Sequence, residues 1–204
     1  MEKKTIIINV GRQFGSGGKS VAMELGKKLG IPVYDNELIS KAAQDSGFSE
    51  DLFEKSDEKR RAFSISSRLS DLIGSQAENY VSDKWLFSIQ SETIRNIAEH
   101  GSAVIVGRCS DYILRDFGCT LDVFLTAPEQ VRKKRIAERC GLTEEKAEAM
   151  MESMDRNRQE YYNYYTFGNW GTASNYDICI DTSILGIEGT ADLIISVAKA
   201  AGLL

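Results

Sequence analysis

The chain has few prolines, histidines and cysteines, which are the residues typical of linkers, metal sites and disulfides. Its 204 residues include only two prolines, so no proline-rich linker divides it, and it has no internal repeat. A single histidine, His100, cannot build a histidine metal centre or a Ser-His triad. The apolar run from Ile6 to Val10 is too short for a signal-peptide core or a membrane span. These absences favour a cytoplasmic protein without a membrane segment.

The cysteines and the net charge bear on the kind of site and ligand that the protein has. The four cysteines are isolated and form no CxxC pair, which is typical of reduced thiols rather than of disulfides or a zinc site. The net charge of −5 provides no field to attract a nucleic acid polymer. Five of the eight residues from Arg132 to Arg139 are nevertheless Lys or Arg. This local patch indicates a small anionic ligand, although a solvated helix face would give the same composition.

Short apolar runs alternate with segments of helical periodicity, a pattern that predicts a three-layer α/β/α fold around a five-stranded parallel sheet. The hydrophobic content of 42% suits a single domain of this kind. Residues 46–84 and 143–172 interrupt the alternation and are expected to be insertions that close over a ligand. The expected strands are Thr5–Val10, Pro32–Tyr34, Ala103–Val106, Leu121–Leu125 and Ile178–Ile180, and the expected helices are Ser20–Leu29, Glu37–Asp45, Trp85–His100, Pro128–Cys140 and Thr190–Ala200.

A glycine-rich turn between the first strand and the first helix carries the strongest functional signal. Gly15, Ser16, Gly17 and Gly18 precede Lys19 and Ser20, where a helix is expected to begin. Glycines let backbone N–H groups approach a phosphate, and the helix N-terminus adds positive charge. Lys19 would then reach the β- and γ-phosphates of ATP, and the Ser20 hydroxyl would hold Mg²⁺.

The spacing of this turn departs from the standard phosphate loop. The usual first glycine would stand at position 13, which is Gln13 here, and Gly11 would serve only with two extra residues in the loop. A turn that binds nothing is the alternative interpretation. The upstream strand, the Lys-Ser pair and the helix that follows favour phosphate binding.

Several further motifs resemble those of the cytidylate kinase family, and especially its cytidylate kinase-like branch. They follow one another in the family's order from residue 5 to about 195, over nearly the whole chain. The matching segments are Phe14–Gly18, Asp35 after the second strand, Gly107-Arg108, Leu125-Thr126-Ala127 with Arg132 and Arg135, Asp155-Arg156-Asn157-Arg158, and Tyr176-Asp177 through Asp181-Thr182-Ser183.

The resemblance implies a P-loop nucleoside monophosphate kinase, with residues 46–84 on the acceptor side and residues 143–172 as a lid. It implies that Arg108, Asp155 and Arg158 bind the acceptor nucleotide and that Arg132 and Arg135 surround the transferred phosphate. Asp35 and Lys41 would also lie on the acceptor side. Phosphoryl transfer needs charge neutralisation and alignment more than a base, so arginines from separate elements suit it. The expected catalytic set is Lys19, Arg108, Arg132, Arg135 and Arg158.

Cys109 departs from the family pattern. The family's Gly-Arg-Asp reads Gly107-Arg108-Cys109 here, and a thiol is a poor acceptor for the amino group of cytosine. The resemblance still implies CMP or dCMP as the acceptor. Two alternatives stay open from the sequence: a nucleotide-binding sensor that transfers nothing, and a kinase for a small metabolite that is not a nucleotide.

Overall fold

The structure is a computed structural model that describes residues 5–36, 38–39 and 76–204. Its secondary structure alternates strands and helices, as the sequence predicts. The strands are β1 (Ile7–Arg12), β2 (Val33–Tyr34), β3 (Ala103–Val106), β4 (Thr120–Thr126) and β5 (Ile178–Asp181). The helices are α1 (Gly18–Leu29), α2 (Gln76–His100), α3 (Ser110–Ile113), α4 (Glu129–Cys140), α5 (Glu144–Thr166) and α6 (Thr182–Ala200), and a 3₁₀ turn covers Ala173–Asn175.

The five strands form one sheet in the order β2-β3-β1-β4-β5, and every neighbouring pair is parallel. The carboxyl ends of all five strands therefore meet at one edge of the sheet. The turns that follow β1, β3, β4 and β5 leave from this edge. The predicted five-stranded parallel sheet is confirmed.

Helices cover both faces of the sheet, because its strands are apolar on both sides. Helices α1 and α6 bury one face, where Val10 and Leu25 join a single apolar cluster. Helices α2, α3 and α5 bury the other face, where Ile7 and Ile94 join a second cluster. The neighbouring strands β1 and β3 are thus followed by helices on opposite faces. That arrangement opens a crevice between their carboxyl ends, where open α/β sheets bind ligands.

Helix α5 lies beside the turn after β1. Ala147 and Met151 of α5 pack with Ile136 of α4, and Phe14 from the turn packs against the same cluster. Thr143 caps the start of α5 by accepting a hydrogen bond from the Lys146 N–H. This packing brings polar residues of α4 and α5 to the carboxyl edge of the sheet.

Three helices begin earlier than the sequence predicts, of which α1 begins at Gly18 rather than Ser20. Helix α2 begins at Gln76 rather than Trp85, and α6 begins at Thr182 rather than Thr190. The Asp181 carboxylate caps α6 at the Ser183 N–H, whereas the non-helical backbone of Gly186 interrupts the helical periodicity. Most of the expected helix Glu37–Asp45 and residues 46–75 of the first insertion lie outside the described residues. Within the described ranges, no helix is long and apolar enough to cross a bilayer.

Candidate active site

The turn between β1 and α1 exposes the N-terminus of a helix at the carboxyl edge of the sheet. Gly15 and Gly17 have φ of 79° and 85°, a left-handed conformation that favours glycine. Gly17 is the N-cap of α1, no side chain caps the helix, and its first turn has no acidic residue. The first N–H groups of a helix lack partners within the helix and attract anions. The turn therefore has the geometry of a phosphate cradle.

The structure explains the unusual glycine spacing of this turn. Gly11 belongs to β1, and a Cβ there would lie 2.8 Å from Cδ2 of Phe124. Its missing side chain makes room for a ring on the neighbouring strand, so Gly11 is not the first glycine of a longer loop. Gly15 has a left-handed backbone, which favours glycine. A Cβ at this position would also lie only 2.9 Å from the Arg132 carbonyl oxygen. The cradle is made by residues 13–18.

Lys19 and Asp35 meet beside the cradle. The Lys19 Nζ lies 2.7 Å from Oδ2 of Asp35, and the lysine side chain is 65% exposed. The other Asp35 oxygen, Oδ1, accepts a hydrogen bond from the Leu38 N–H at 3.2 Å, so Asp35 also caps the next helical turn. The lysine ammonium is thus held at the edge of the cradle with an exposed side, where a polyphosphate could contact it.

The residues of the cradle also fit Mg²⁺ that arrives with a nucleotide. Among the described residues, no group of three or more acidic, cysteine or histidine side chains is placed to hold a metal ion. Mg²⁺ does not need such a group, because it keeps several waters and is held by substrate phosphates with one or two protein ligands. Ser20 is exposed in the first turn of α1, where its hydroxyl would be that ligand.

Three side chains, here called the loop brace (Arg132, Arg135 and Asp155), hold the cradle from α4 and α5. Asp155 accepts from the Phe14 N–H at 2.6 Å and pairs with Nη1 of Arg132 at 2.5 Å. Arg132 also donates to the Phe14 carbonyl at 3.2 Å, and Arg135 donates to the Ser16 carbonyl at 2.9 Å. Two arginines expected to surround a phosphate therefore bind backbone oxygens of the turn in this structure.

Ser16 shows how firmly the turn is fixed. It is fully buried, and its hydroxyl donates to the Gln13 carbonyl at 2.8 Å. Its own carbonyl accepts from Arg135 and from the Thr182 hydroxyl at the start of α6. Ser16 thus shapes the cradle through its backbone and hydroxyl contacts.

A second set, here called the arginine cluster (Arg12, Arg108 and Arg158), lies at the ends of β1 and β3. Arg158 of α5 donates to the Arg12 carbonyl at 3.0 Å, and burial lowers its pKa. Arg108 donates through Nε to Oδ1 of Asn36, and its guanidinium lies 5.4 Å from the centre of the Tyr161 ring. Arg12 was missed by the sequence reasoning; one charged residue at the end of an apolar strand was its only signal.

The backbone that presents Arg108 is strained. Gly107, Arg108 and Cys109 all have positive φ, of 76°, 57° and 57°. A left-handed conformation costs a residue with a side chain about 1–2 kcal/mol, and such strain is often found at functional sites. The strained segment turns the chain sharply after β3, which leaves Arg108 at the crevice.

Cys109 itself faces the core. It is 3% exposed and belongs to the apolar cluster beneath α2 and α3. Burial, with a smaller contribution from Asp111, raises the pKa of its thiol far above the ordinary value. The thiol is therefore neutral and unreactive at neutral pH, and Cys109 acts as a small buried side chain.

Two further features of the sequence are the aromatic residues of α5 and its following loop, and Lys41. Tyr161 and Tyr165 pack against Phe87 of α2, and Trp170 contacts Phe124 of β4, so these aromatic side chains join α5 to α2 and the following loop to the sheet. Lys41 lies outside the described residues, and its place on the acceptor side stays a prediction.

Comparison with known proteins identifies the family. The sequence profile of the cytidylate kinase-like family matches residues 7–184. A cytidylate kinase from Pyrococcus horikoshii is 27% identical over 98% of this chain and 90% of its own length. The crystal structure of an uncharacterized protein from Eubacterium ventriosum is 31% identical with a TM-score of 0.74, and the match covers 95% of this chain and 98% of that one.

The fold is also shared with more distant kinases. A shikimate kinase from Bacteroides thetaiotaomicron matches with a TM-score of 0.55 at 13% identity, over 96% of this chain and 99% of its own. At that identity the match shows the fold alone, a three-layer α/β core of the P-loop type. The family match covers most of the chain and includes the cradle, the loop brace and the arginine cluster. The chain therefore belongs to the cytidylate kinase-like family and is a kinase.

Proposed function

We propose that this protein transfers the γ-phosphoryl group of ATP to a nucleoside monophosphate, with CMP or dCMP as the acceptor. The observation that carries the proposal is one edge of the sheet where a phosphate cradle lies beside a cluster of guanidiniums. One site suits the polyphosphate of the donor, and the other suits the phosphate of an acceptor. The names of the 27% identical relatives support CMP as the acceptor.

The donor is proposed to bind at Gly15–Ser20. Backbone N–H groups at the start of α1 would contact the phosphates, and Lys19 would leave Asp35 to contact the β- and γ-phosphates. Lys19 can exchange its Asp35 partner for phosphate oxygens at low cost. Its side chain is 65% exposed, and ion pairs of exposed lysines contribute about 0–1 kcal/mol. Bound Mg²⁺ would neutralise charge on the transferring group, with Ser20 as its protein ligand.

The acceptor is proposed to bind at Arg108 and Arg158, with Asp35, Lys41 and Asp155 near it. Guanidiniums form paired hydrogen bonds with phosphate oxygens, and they arrive here from two separate elements. Such contacts align the acceptor oxygen with the γ-phosphorus, and alignment is the main requirement of this reaction. An acceptor phosphate is already ionised at neutral pH, so no general base is needed.

Arg132 and Arg135 are proposed to contribute from the side of the cradle. Their hydrogen bonds to the Phe14 and Ser16 carbonyls hold the turn in its binding shape. Their charge also lies beside the turn, where it would offset negative charge on the transferring phosphoryl group. Residues 143–172 are proposed to act as the lid, because α5 supplies both Asp155 and Arg158. The four free thiols fit a reducing cytoplasm.

An acceptor panel tests this proposal. ADP release is measured in a coupled assay with ATP, Mg²⁺ and one acceptor at a time: CMP, dCMP, UMP, AMP, or small hydroxylated acids such as shikimate. We expect the highest kcat/KM with CMP or dCMP. Transfer to a non-nucleotide acceptor alone would contradict the proposed acceptor, and normal ATP binding without any transfer would indicate a nucleotide sensor.

A further inference from the structure

Gly18 and Gly107 leave room for the Arg12 side chain, because neither has a Cβ. A Cβ on Gly18 would lie 2.7 Å from the Arg12 Cβ, and a Cβ on Gly107 would lie 1.8 Å from its Nη1. The side chain therefore runs from the end of β1 across the first residue of α1 and ends over the backbone after β3. Any larger residue at position 107 would collide with the guanidinium. The guanidinium therefore lies directly against the backbone of Gly107.

The guanidinium of Arg12 has more positive than negative neighbours. Its pKa falls to about 9, chiefly through burial and then through Arg158 and Arg108, while Asp35 opposes the decrease. Among the described residues, no carboxylate lies within ion-pair distance of Arg12 or Arg108. Asp35 is already 2.7 Å from Lys19. Positive groups held together at half-buried positions are costly unless an anion joins them.

The position of this group is the crevice between β1 and β3. Arg12 is the last residue of β1, and Arg108 is the second residue after β3. These two strands are neighbours, and the helices that follow them lie on opposite faces of the sheet. A ligand at the carboxyl edge enters at such a point. Arg12 and Arg108 therefore stand on the two sides of one ligand opening.

We propose that Arg12 binds the phosphate of the acceptor nucleotide, together with Arg108 and Arg158. This inference rests on the proposed function and adds a residue to its acceptor site. We assign the acceptor rather than ATP as the ligand, because the positive neighbours of Arg12 are the two other members of the arginine cluster and not Arg132 or Arg135 of the loop brace. A phosphate monoester with two negative charges would neutralise most of the excess.

The test compares Arg12→Met with the wild type in the full chain. We expect the KM for CMP to rise about 10- to 100-fold, which corresponds to the loss of one or two charge-assisted hydrogen bonds. The KM for ATP should change by less than about twofold, because the cradle is intact. Arg12→Lys keeps the charge but loses the planar fork, so its KM for CMP should lie between the two. Arg95→Met, which removes an exposed arginine of α2, is the matched control.

Binding without turnover separates this inference from the proposed function. The affinity for CMP and for inorganic phosphate is measured by calorimetry without ATP, and Lys19→Ala reports any phosphate bound at the cradle instead. If the wild type transfers to no nucleotide but binds CMP in an Arg12-dependent way, the proposed function fails and this inference stands. If Arg12→Met turns over CMP with an unchanged KM, the inference fails and the proposed function stands.

Thermal unfolding excludes a role in folding alone. Without ligand, Arg12→Met should melt at the wild-type temperature or above it, since an unpaired cation is removed. The increase in melting temperature on adding CMP should be smaller than in the wild type. A lower melting temperature with an undiminished increase from CMP would overturn the proposal. If Arg12→Met does not fold, the test uses Arg12→Lys instead. An affinity of Arg12→Lys for CMP equal to that of the wild type would then overturn the proposal.

Discussion

The loop brace and the arginine cluster use the same residue type in opposite ways. In the loop brace, Arg132 shares its charge with Asp155, and both arginines donate to carbonyls of the turn. In the arginine cluster, Arg12 lies near Arg108 and Arg158, and its carboxylate neighbour Asp35 is paired with Lys19. Arg158 alone has a carboxylate within ion-pair distance among the described residues, which is Asp155 of the loop brace at 3.9 Å. The first set has most of its partners within the protein, although Nε of Arg132 has none among the described residues. The second set is short of negative charge.

The difference teaches how to separate arginines that support a site from arginines that bind its ligand. An arginine with satisfied partners contributes mainly to stability, because removing it leaves a carboxylate or carbonyl unpaired. An arginine among other cations contributes mainly to ligand binding, because an anion supplies its missing partner. We expect variants of the loop brace to lose stability first and variants of the arginine cluster to lose acceptor affinity first.

The largest effect is expected at Lys19, which belongs to neither set. Lys19→Ala should lower kcat by about 100- to 1000-fold, as removal of one positioned group that stabilises transition-state charge typically does. Stability should change little, because its pair with Asp35 is exposed on the lysine side. Lys27→Ala, an exposed lysine later in the same helix, is the control and should keep full activity. Steady-state kinetics with ATP and CMP measures both.

The loop brace is broken most directly at Asp155. Asp155→Ala should lower the free energy of unfolding by about 3 kcal/mol, because it leaves Arg132 and the Phe14 N–H without their shared acceptor. Urea unfolding without ligand measures this change. Asp116→Ala is the control, since that carboxylate is 87% exposed and 3.9 Å from Arg115. Equal stability of the two variants would remove the distinction between the sets.

The arginine cluster is tested at Arg108 by the opposite pattern. Arg108→Met should raise the KM for CMP by about 10- to 100-fold, since one charge-assisted contact with the acceptor is lost. Its free energy of unfolding should change by about 1 kcal/mol or less, because Arg108 has no ion pair among the described residues and loses only its hydrogen bond to Asn36 and its contact with Tyr161. Methionine is unbranched at Cβ, so it can adopt the left-handed backbone at this position about as well as arginine. A large loss of stability with an unchanged KM would place Arg108 with the loop brace.

The smallest effect is expected at Asp122, a half-buried carboxylate that belongs to neither set. Burial raises the pKa of Asp122 to about 6, and Asp111 and Asp177 add to the increase, while the hydrogen bond from Asn9 opposes it. Folding therefore favours the protonated form. Its contribution to stability is present below the unfolded pKa near 4 and is lost as the pH rises through about 6.

Asp122→Asn should remove this dependence and stabilise the protein by about 1 kcal/mol at pH 7. The new amide could also donate to Oδ1 of Asn9, which is buried without a partner among the described residues. Unfolding midpoints at pH 5 and pH 7 measure the change. An equal difference from the wild type at both pH values would show that Asp122 does not titrate in this range.

Most of the fold could be predicted because the strands are apolar and short. Ala103–Val106 has the same bounds in sequence and structure, and the other strands differ by two residues or fewer at each end. The start of α6 could not be predicted, because Gly186 breaks the helical periodicity while the Asp181 cap starts the helix earlier. A cap is a local contact that composition does not show.

The sequence indicates which segments carry the candidate site residues, and the roles of these residues stay predictions. The sequence places these residues on four separate segments, and the structure brings the segments to one edge of the sheet. The residues are Lys19, Arg108, the pair Arg132 and Arg135 on one helix, and Arg158. The sequence could not show that Arg132 and Arg135 hold the turn, since that depends on how α4 and α5 pack. Arg12 was missed because its partners, Gly18 and Gly107, are far apart in the sequence and contribute no side chain.

Phosphorus NMR of a mixture of ATP, Mg²⁺ and CMP with the wild-type protein tests the central claim most directly. We expect the γ-phosphorus signal of ATP to disappear while the two signals of CDP appear in equal amounts with ADP. Loss of the γ signal with only inorganic phosphate formed, or no change in the CMP signal at any enzyme concentration, would contradict transfer to a nucleoside monophosphate.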